Sequence, residues 1–533
     1  MRTGYNISRH LSKHLFHADF WLKFTIAGIL MCFTPLWGQV YVPLDQDHII
    51  ESEQKIFGLQ SFYSTFLKPY DYAWYESLIQ PVDSAKSVKG RSWWIRKLFY
   101  ESYLSVDSPD YRLEANPLFN FSYGSMSGSS QPFYHNIRGA AIGGNLLGKL
   151  YFESSVLECQ SRWPLYVSDF VHSSNVAPGM GQARRFGSGG FDYAIAQGSI
   201  AFPVNRHCKI YLGTGKFFAG DGYRSLLLSD VSFNYPYLYV RYHYRNWYFS
   251  RIFATTMSDT LPLTAYGVRE KRLNNFGIIS FVPHRAIELS FFEGYVFRYP
   301  NRIRHISINP LFFNPLPVVN LLKTDSGFSS VLGINVRINL LPGMILYQQV
   351  AVSNPHYRRI DKNNTGYQAG IKWYNAFTLR NLFLQAEWNR VGERAFVSSD
   401  SLLNYTHYNQ PLGHLLGNNF DEKILHASFT AGRFNLSAHG VWSQYGQKGM
   451  GLLPRKSRFV ELINYPAPLL GTGPYTEMRY WAVTMGYWVN PRASQKIEVG
   501  FVSRQATIAT LSLHSQIFYV AFKVNWNNMY VDF

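Results

Sequence analysis

Beyond its N-terminal stretch, the 533-residue chain has no uninterrupted apolar run near the roughly 20 residues that carry a helix across a bilayer. Helical membrane spans are therefore excluded for most of its length. Charged residues make up only 16% of the chain, too few for an ordinary cytosolic enzyme surface. Cysteine is scarce, with three in all, and removal of an N-terminal signal would take Cys32 with it. Cys159 and Cys208 then remain, too few for a disulfide framework and without C-x-x-C metal spacing. There is no G-x-S-x-G elbow, no H-E-x-x-H pair and no G-x-x-x-x-G-K-[ST] phosphate loop. No cofactor or metal is called for. The formal charge of +18 is dispersed and not gathered in a block, which argues against nucleic acid. In an exported protein it fits an anionic partner such as lipopolysaccharide or an acidic glycan better.

Aromatic residues are abundant: 38 Tyr and 40 Phe lift their share to 17%. Tyr and Trp have an apolar body and a polar tip, which suits a surface between lipid and water. The N-terminus carries Arg2, Arg9 and Lys13, followed by the apolar stretch WLKFTIAGILMCFTPLWGQ. This reads as a signal peptide over residues 1–38, cut after Gly38. A lipoprotein reading through Cys32 meets Met31, too large for the usual small-residue site. Residues 39–110 lack strand alternation, and RSWWIRKLFYESYLSV sets Trp94, Ile95, Leu98 and Tyr103 at near-helical spacing. A small, partly helical periplasmic region is expected there.

From residue 111 to 533 the chain breaks into segments of about ten residues with period-two alternation. In one, Ser330, Leu332, Ile334, Val336 and Ile338 share a face, opposite Ser329, Asn335, Arg337 and Asn339. In another, Leu382, Leu384, Ala386 and Trp388 oppose Asn381, Gln385, Glu387 and Asn389. A soluble sandwich would turn the apolar face inward; a membrane barrel turns it to lipid. The connections decide. Short turns such as LLGK, PVNRH, YRNW, VPHR, LLPG, AGR and NPRAS alternate with much longer segments, as periplasmic turns alternate with extracellular loops. The expected fold is an all-β, transmembrane antiparallel barrel of about eighteen strands in the outer membrane, its outer face against lipid. The end, HSQIFYVAFKVNWNNMYVDF, reads as a closing strand finishing on Phe533, with a bulge or turn at Asn527 and Asn528. With one strand between them, Cys159 and Cys208 are too far apart to pair.

In this topology GKFFAGDGYRSLLLSDVSFNYP becomes an extracellular loop. Three consecutive leucines are poorly placed in a solvated loop. A loop folded into the barrel mouth would bury Leu226, Leu227 and Leu228 and leave Asp221, Tyr223 and Arg224 facing the lumen, with Asp221 and Asp230 as the local partners of Arg224. The loop then serves as a plug or as a ligand contact. Arg184 and Arg185 in a second loop join it as binding candidates, and Arg241, Arg337, Lys372 and Lys523 are the basic residues placed on the lumen wall.

The loop GDGYRSLLLSDVSFNYP, together with NIRG (Asn136 to Gly139), SRWPLYVSDFVHSSNVAPGMGQARRFGSGGFDYA, ISINPLFFNP and HYNQPLGHLLGNNF, resembles the capsule-assembly Wzi family. It is similar most of all to the gliding-motility RemB-like branch of Bacteroidetes. The resemblance covers roughly residues 112–533. It implies a barrel of about eighteen strands with a helical N-terminal part and without catalysis, which binds or anchors surface polysaccharide or supports gliding motility, with gliding or secretion machinery as partners. SLLLS is the family-like core, whereas Asp221, Tyr223 and Arg224 follow the RemB-like form. Two rivals stand beside this reading. A porin would open its lumen to water between opposed acidic and basic residues, and Glu288, Glu387 and Glu498 are available to face the basic set. An outer-membrane barrel enzyme could carry a dispersed site without a local motif.

Overall fold

The computed structural model describes residues 40–58, 63–78, 91–258, 270–300, 307–317, 319–322, 327–355, 360–398, 400–446, 474–508, 511–524 and 527–533. The proposed signal peptide and Cys32 lie outside the described residues. Among those described, eighteen antiparallel strands close into one barrel. They are β1 (Tyr111–Met126), β2 (Phe133–Leu146), β3 (Leu150–Arg162), β4 (Gly190–Pro203), β5 (Cys208–Gly215) and β6 (Tyr235–Tyr244). β7 (Trp247–Met257), β8 (Lys271–His284), β9 (Ile287–Arg298), β10 (Phe328–Leu341), β11 (Met344–Ser353) and β12 (Thr365–Tyr374) continue the wall. β13 (Leu382–Val391), β14 (Phe420–Ala431), β15 (Phe434–Tyr445), β16 (Thr476–Asn490), β17 (Gln495–Ile508) and β18 (Leu511–Val524) complete it. The seam runs from Ile517↔Met126 to Lys523↔Asn120, so the last strand pairs antiparallel with the first. An even strand number permits that closure, and closure removes the exposed edges that lipid could not hydrogen-bond.

The side chains follow the alternation. On β10, Ile334 is 56% exposed on the outer face, while Asn335 and Arg337 are buried inside. On β13, Trp388 faces out and Gln385, Glu387 and Asn389 face in. The arrangement inverts a soluble protein. Exposing this much apolar area to water would cost about 25 cal/mol per Å², and lipid removes that cost. Cys159 on β3 and Cys208 at the start of β5 are both free thiols, with β4 between them.

The short turns, the start of β1 and the end of β18 gather at one end of the barrel, the periplasmic end of an outer-membrane barrel. From this end the N-terminal segment enters the lumen. Helix α1 (Gln46–Gly58) starts at Asp45, whose carboxylate accepts from the His48 amide, and carries Asp47 in its first turn and Lys55 in its last. Ile49, Ser52, Glu53 and Ile56 form its buried stripe, with Ile49 and Ile56 packed beside Val42 and Tyr70. Leu67–Lys68 then pairs with Phe218–Ala219 of the loop that descends between β5 and β6, making a two-stranded sheet inside the barrel. Two further helices, α2 (Tyr72–Leu78) and α3 (Trp93–Phe99), precede the barrel, and α4 (Leu165–Ser174) follows β3 at the opposite end.

The closing strand differs from the sequence expectation. β18 stops at Val524, and residues 527–533 leave the wall and fold inward. Tyr530, Asp532 and Phe533 are buried, Phe533 with its ring against Phe170 and Tyr166 of α4. Asn528 donates to the Leu44 carbonyl and to Asp230, contacts a continuing strand could not make.

Leu226, Leu227 and Leu228 are fully buried, as the folded-in loop required, each contributing about 2 kcal/mol of apolar transfer. The fit is close on one side. A Cβ added to Gly333 on β10 would stand 2.1 Å from Cδ2 of Leu227. Gly333→Val is therefore expected to expel the loop at a cost of about 2 kcal/mol, seen as new tryptic cleavage near Arg224 while the barrel stays heat-modifiable on gels.

Candidate functional site

Three segments distant in sequence meet inside the barrel: the N-terminal segment, residues 216–234 and the tail 527–533. The β13 carboxylate of Glu387 fixes the loop backbone, accepting from the amides of Tyr223 (2.7 Å) and Arg224 (3.2 Å) and from the Tyr347 hydroxyl (2.7 Å). Gln349 on β11 accepts from the Leu226 amide at 2.7 Å and donates to the Ala219 carbonyl at 3.2 Å. Tyr405 donates to the Leu227 carbonyl at 2.7 Å. Most of these partners project inward from the wall, so the loop's polar backbone is satisfied by polar strand faces that water would otherwise fill.

Arg224 is at the centre. Its guanidinium lies 2.9 Å from Asp532 of the tail and 3.5 Å from Glu422 of β14, with the rings of Tyr223 and Tyr530 at 4.9 and 5.2 Å. This corrects the expectation that Asp221 or Asp230 would pair with it. Asp221 instead accepts from Thr65 (3.0 Å) and Asn335 (2.8 Å), and Asp230 accepts from Asn528 and Tyr530, each at 3.0 Å. Tyr223 donates to Asp532 at 3.2 Å. Asp532 also meets His439 of β15 at 3.0 Å, and Glu422 meets His414 at 2.8 Å. Burial alone would push the Asp532 carboxyl up; Arg224 and then His439 more than reverse it and hold it well below the ordinary carboxylate range.

Each basic wall residue faces the interior and has a partner there. Arg337 pairs with Glu288 at 3.1 Å, Lys372 with Glu53 of α1 at 2.7 Å, and Lys523 with Glu498 at 2.8 Å. The Arg241 guanidinium stands 5.3 Å from the Trp74 ring centre. Glu53 also meets Lys68 at 3.0 Å; burial raises its pKa, and Lys372 with Lys68 overcome this and keep it ionised far below its usual value.

Arg184 and Arg185 differ from all of these. They lie with Phe186 on a three-residue strand at the long-loop end, all three exposed, folded back on β4 with Arg184 opposite Asp192. Gly187 and Gly189, at φ 54° and 73°, make the turn of this hairpin. Arg162, stacked 5.1 Å from the Tyr134 ring, donates to the Ser188 carbonyl at 2.7 Å and braces the tip. Elsewhere in the lumen a cavity of about 400 Å³ remains between α4, the tail and the wall, lined by Phe133, Trp163, Tyr166, Tyr480, Lys496 and Glu498 among others.

This geometry has a counterpart among solved structures. The chain has a Wzi-like barrel fold. Wzi, an outer-membrane protein involved in group 1 capsule assembly in Escherichia coli and described as a carbohydrate-binding β-barrel, superposes with a TM-score of 0.54 at 12% identity. The match covers 91% of this chain and 99% of Wzi. The outer-membrane protein OprD of Pseudomonas aeruginosa superposes with a TM-score of 0.41 at 11% identity, over 81% of this chain and 98% of OprD. No family model and no curated protein matches the sequence. The closed barrel and its Wzi-like fold place the protein in the outer membrane.

The sequence reading placed the loop in the barrel mouth and Glu387 on an inward strand face, without assigning Glu387 to the loop backbone. It missed Asp532 and Glu422 as partners of Arg224. Glu422 carries the signal of an acid at an inward position of a strand, and Asp532 follows the Asn527–Asn528 break that ends the alternation.

Two outcomes follow. Replacing Arg224 by Met leaves Asp532 and Glu422 buried without their cation, at a cost of about 3 kcal/mol. The tail should then become open to chymotrypsin at Tyr530 while the barrel stays folded, and Arg224→Met/Asp532→Asn should recover part of the protection. The second concerns pH. Asp532 and Glu53 have depressed values in the folded state, so their stabilisation is full above the ordinary carboxylate range. It declines as pH falls through that range and is lost only below the folded values. His48 behaves oppositely: burial lowers its pKa, but Asp45 overrides this and lifts it to about 9, so its contribution is full below its ordinary value of 6.5 and lost as pH rises through about 9. Protease protection of the plug is expected to be highest and flattest between the ordinary carboxylate range and about pH 6.5, to decline as pH rises from there through about 9, and to decline again in acid.

Proposed function

We propose that this protein is a non-catalytic, self-plugged outer-membrane barrel whose long-loop rim binds an acidic surface polysaccharide. The observation that carries the reading is a division of labour among the candidate residues. Asp221, Tyr223, Arg224 and Asp230 are used up in internal contacts, whereas Arg184, Arg185 and Phe186 stand exposed on a braced hairpin. Guanidinium groups grip carboxylates or phosphates, and an aromatic face stacks on a sugar ring. The Wzi-like fold supports the same direction, since Wzi is described as carbohydrate-binding. Lipopolysaccharide is the second anionic glycan that this rim would suit.

Against the porin reading, Arg337, Lys372 and Lys523 are each neutralised by a buried acid and offer no free ladder to passing ions. Among the described residues no group of three or more His, Cys, Asp or Glu side chains could hold a metal, and the charged cluster around Arg224 serves to join chain segments. A role in gliding, with machinery proteins as partners, is the second reading. The RemB-like form of Asp221, Tyr223 and Arg224 around the SLLLS core favours it.

Purified full chain in detergent is expected to retain a uronic-acid polymer on a glycan surface, less so at high salt. Replacing Arg184 and Arg185 together by Ala should weaken retention by about tenfold, or roughly 1.4 kcal/mol, without altering heat-modifiability. Unchanged retention in the double variant would move the glycan contact away from this hairpin.

A further inference from the structure

Helix α3 presents an apolar surface that the barrel does not cover. Trp93, Trp94, Ile95 and Leu98 are 52%, 69%, 43% and 44% exposed, and no residue of the helix is buried. Its position is nevertheless fixed. Asn490, at the end of β16, donates to the carbonyls of Lys97 (3.1 Å) and Glu101 (2.9 Å). Arg433, in the turn before β15, donates to the Phe99 carbonyl at 3.2 Å and stacks 4.9 Å from the Tyr100 ring. Both anchors belong to the short-turn end, where the wall passes from lipid to the periplasm.

The helix does not stand alone there. Phe434 beside Arg433 and Tyr487 beside Trp488 face outward on β15 and β16, and Leu104 and Val106 extend the outer face on a short strand paired with β1. The exposed face of α3 therefore continues the apolar band of the barrel. Around it are Arg91, Arg96 and Lys97; Glu101 meets Arg96 at 3.6 Å and Lys97 at 3.3 Å, so one acid is shared between two cations and the stretch keeps a basic excess. Tryptophans with adjacent cations form the pattern of a segment lying at the boundary between acyl chains and headgroups.

We propose that α3 lies in the headgroup layer of the periplasmic leaflet and binds phospholipid, with Trp93, Trp94, Ile95 and Leu98 entering the acyl boundary and the exposed Arg91 and partly exposed Arg96 meeting phosphate. The continuity with the lipid-facing wall and the basic excess both favour lipid over a protein occupant. The helix then works as a collar that sets the depth of the barrel's periplasmic end and holds the N-terminal segment at the entrance to the lumen.

The test uses the full chain reconstituted in phospholipid vesicles. Subtracting the fluorescence of the Trp93→Phe/Trp94→Phe variant isolates two tryptophans out of thirteen. With acyl chains brominated near the headgroup, about half of this difference signal should be lost, and less with bromines placed deeper. Adding Leu98→Trp to the double variant should restore a quenchable signal from the same face, and all variants should keep the heat-modifiable mobility of the folded barrel. A difference signal blind to brominated lipid but quenched by aqueous iodide would overturn the proposal, because the helix would face water. So would a signal shielded from both quenchers, which would mean that protein covers it.

Discussion

A single guanidinium touches three parts of the chain that are distant in sequence. Arg224 comes from an extracellular loop, Asp532 from the tail that enters at the periplasmic end, and Glu422 from the barrel wall. Within a barrel wrapped in lipid, a charge at this depth is tolerable only with its counter-charges in contact, and each carboxylate depends on the same cation. The dependence is mutual. The loop places Arg224 only because Glu387 and Gln349 hold its backbone, and the tail reaches Arg224 only because β18 ends at Val524.

The wall makes this possible by being polar inside. Asn335, Gln349, Glu387 and Glu422 are almost fully buried, yet each is hydrogen-bonded to the plug or to a neighbouring strand. In an open channel those groups would be solvated by water; here the chain's own segments take its place. Leucines 226–228 add the apolar component, filling the space that Gly333 leaves on β10. Lipid contact outside and a polar inner wall follow from the same period-two pattern.

Much of the fold was legible in the sequence because period-two alternation is local. Ile334 and Arg337 could be assigned to opposite faces from their spacing, and the turns between strands are short enough to read directly. The fate of Asp532 was not legible in the same way. The aromatic end of NWNNMYVDF imitates a strand terminus, and only the paired asparagines mark the departure inward. The partner of Arg224 was hidden for another reason: Asp221 and Asp230 are near in sequence, but Thr65, Asn335, Asn528 and Tyr530 occupy them, contacts fixed by tertiary packing. Arg184 and Arg185 were recognised as a basic pair, and the structure adds that they stand on a braced hairpin at the rim.

The functional account rests on a lumen closed by the protein itself, which leaves the rim as the working surface. Single-channel recording of the purified full chain in a planar bilayer tests this most directly. The account expects no steady open state from the intact protein. A large, steady open current from it would contradict the plug and favour a channel.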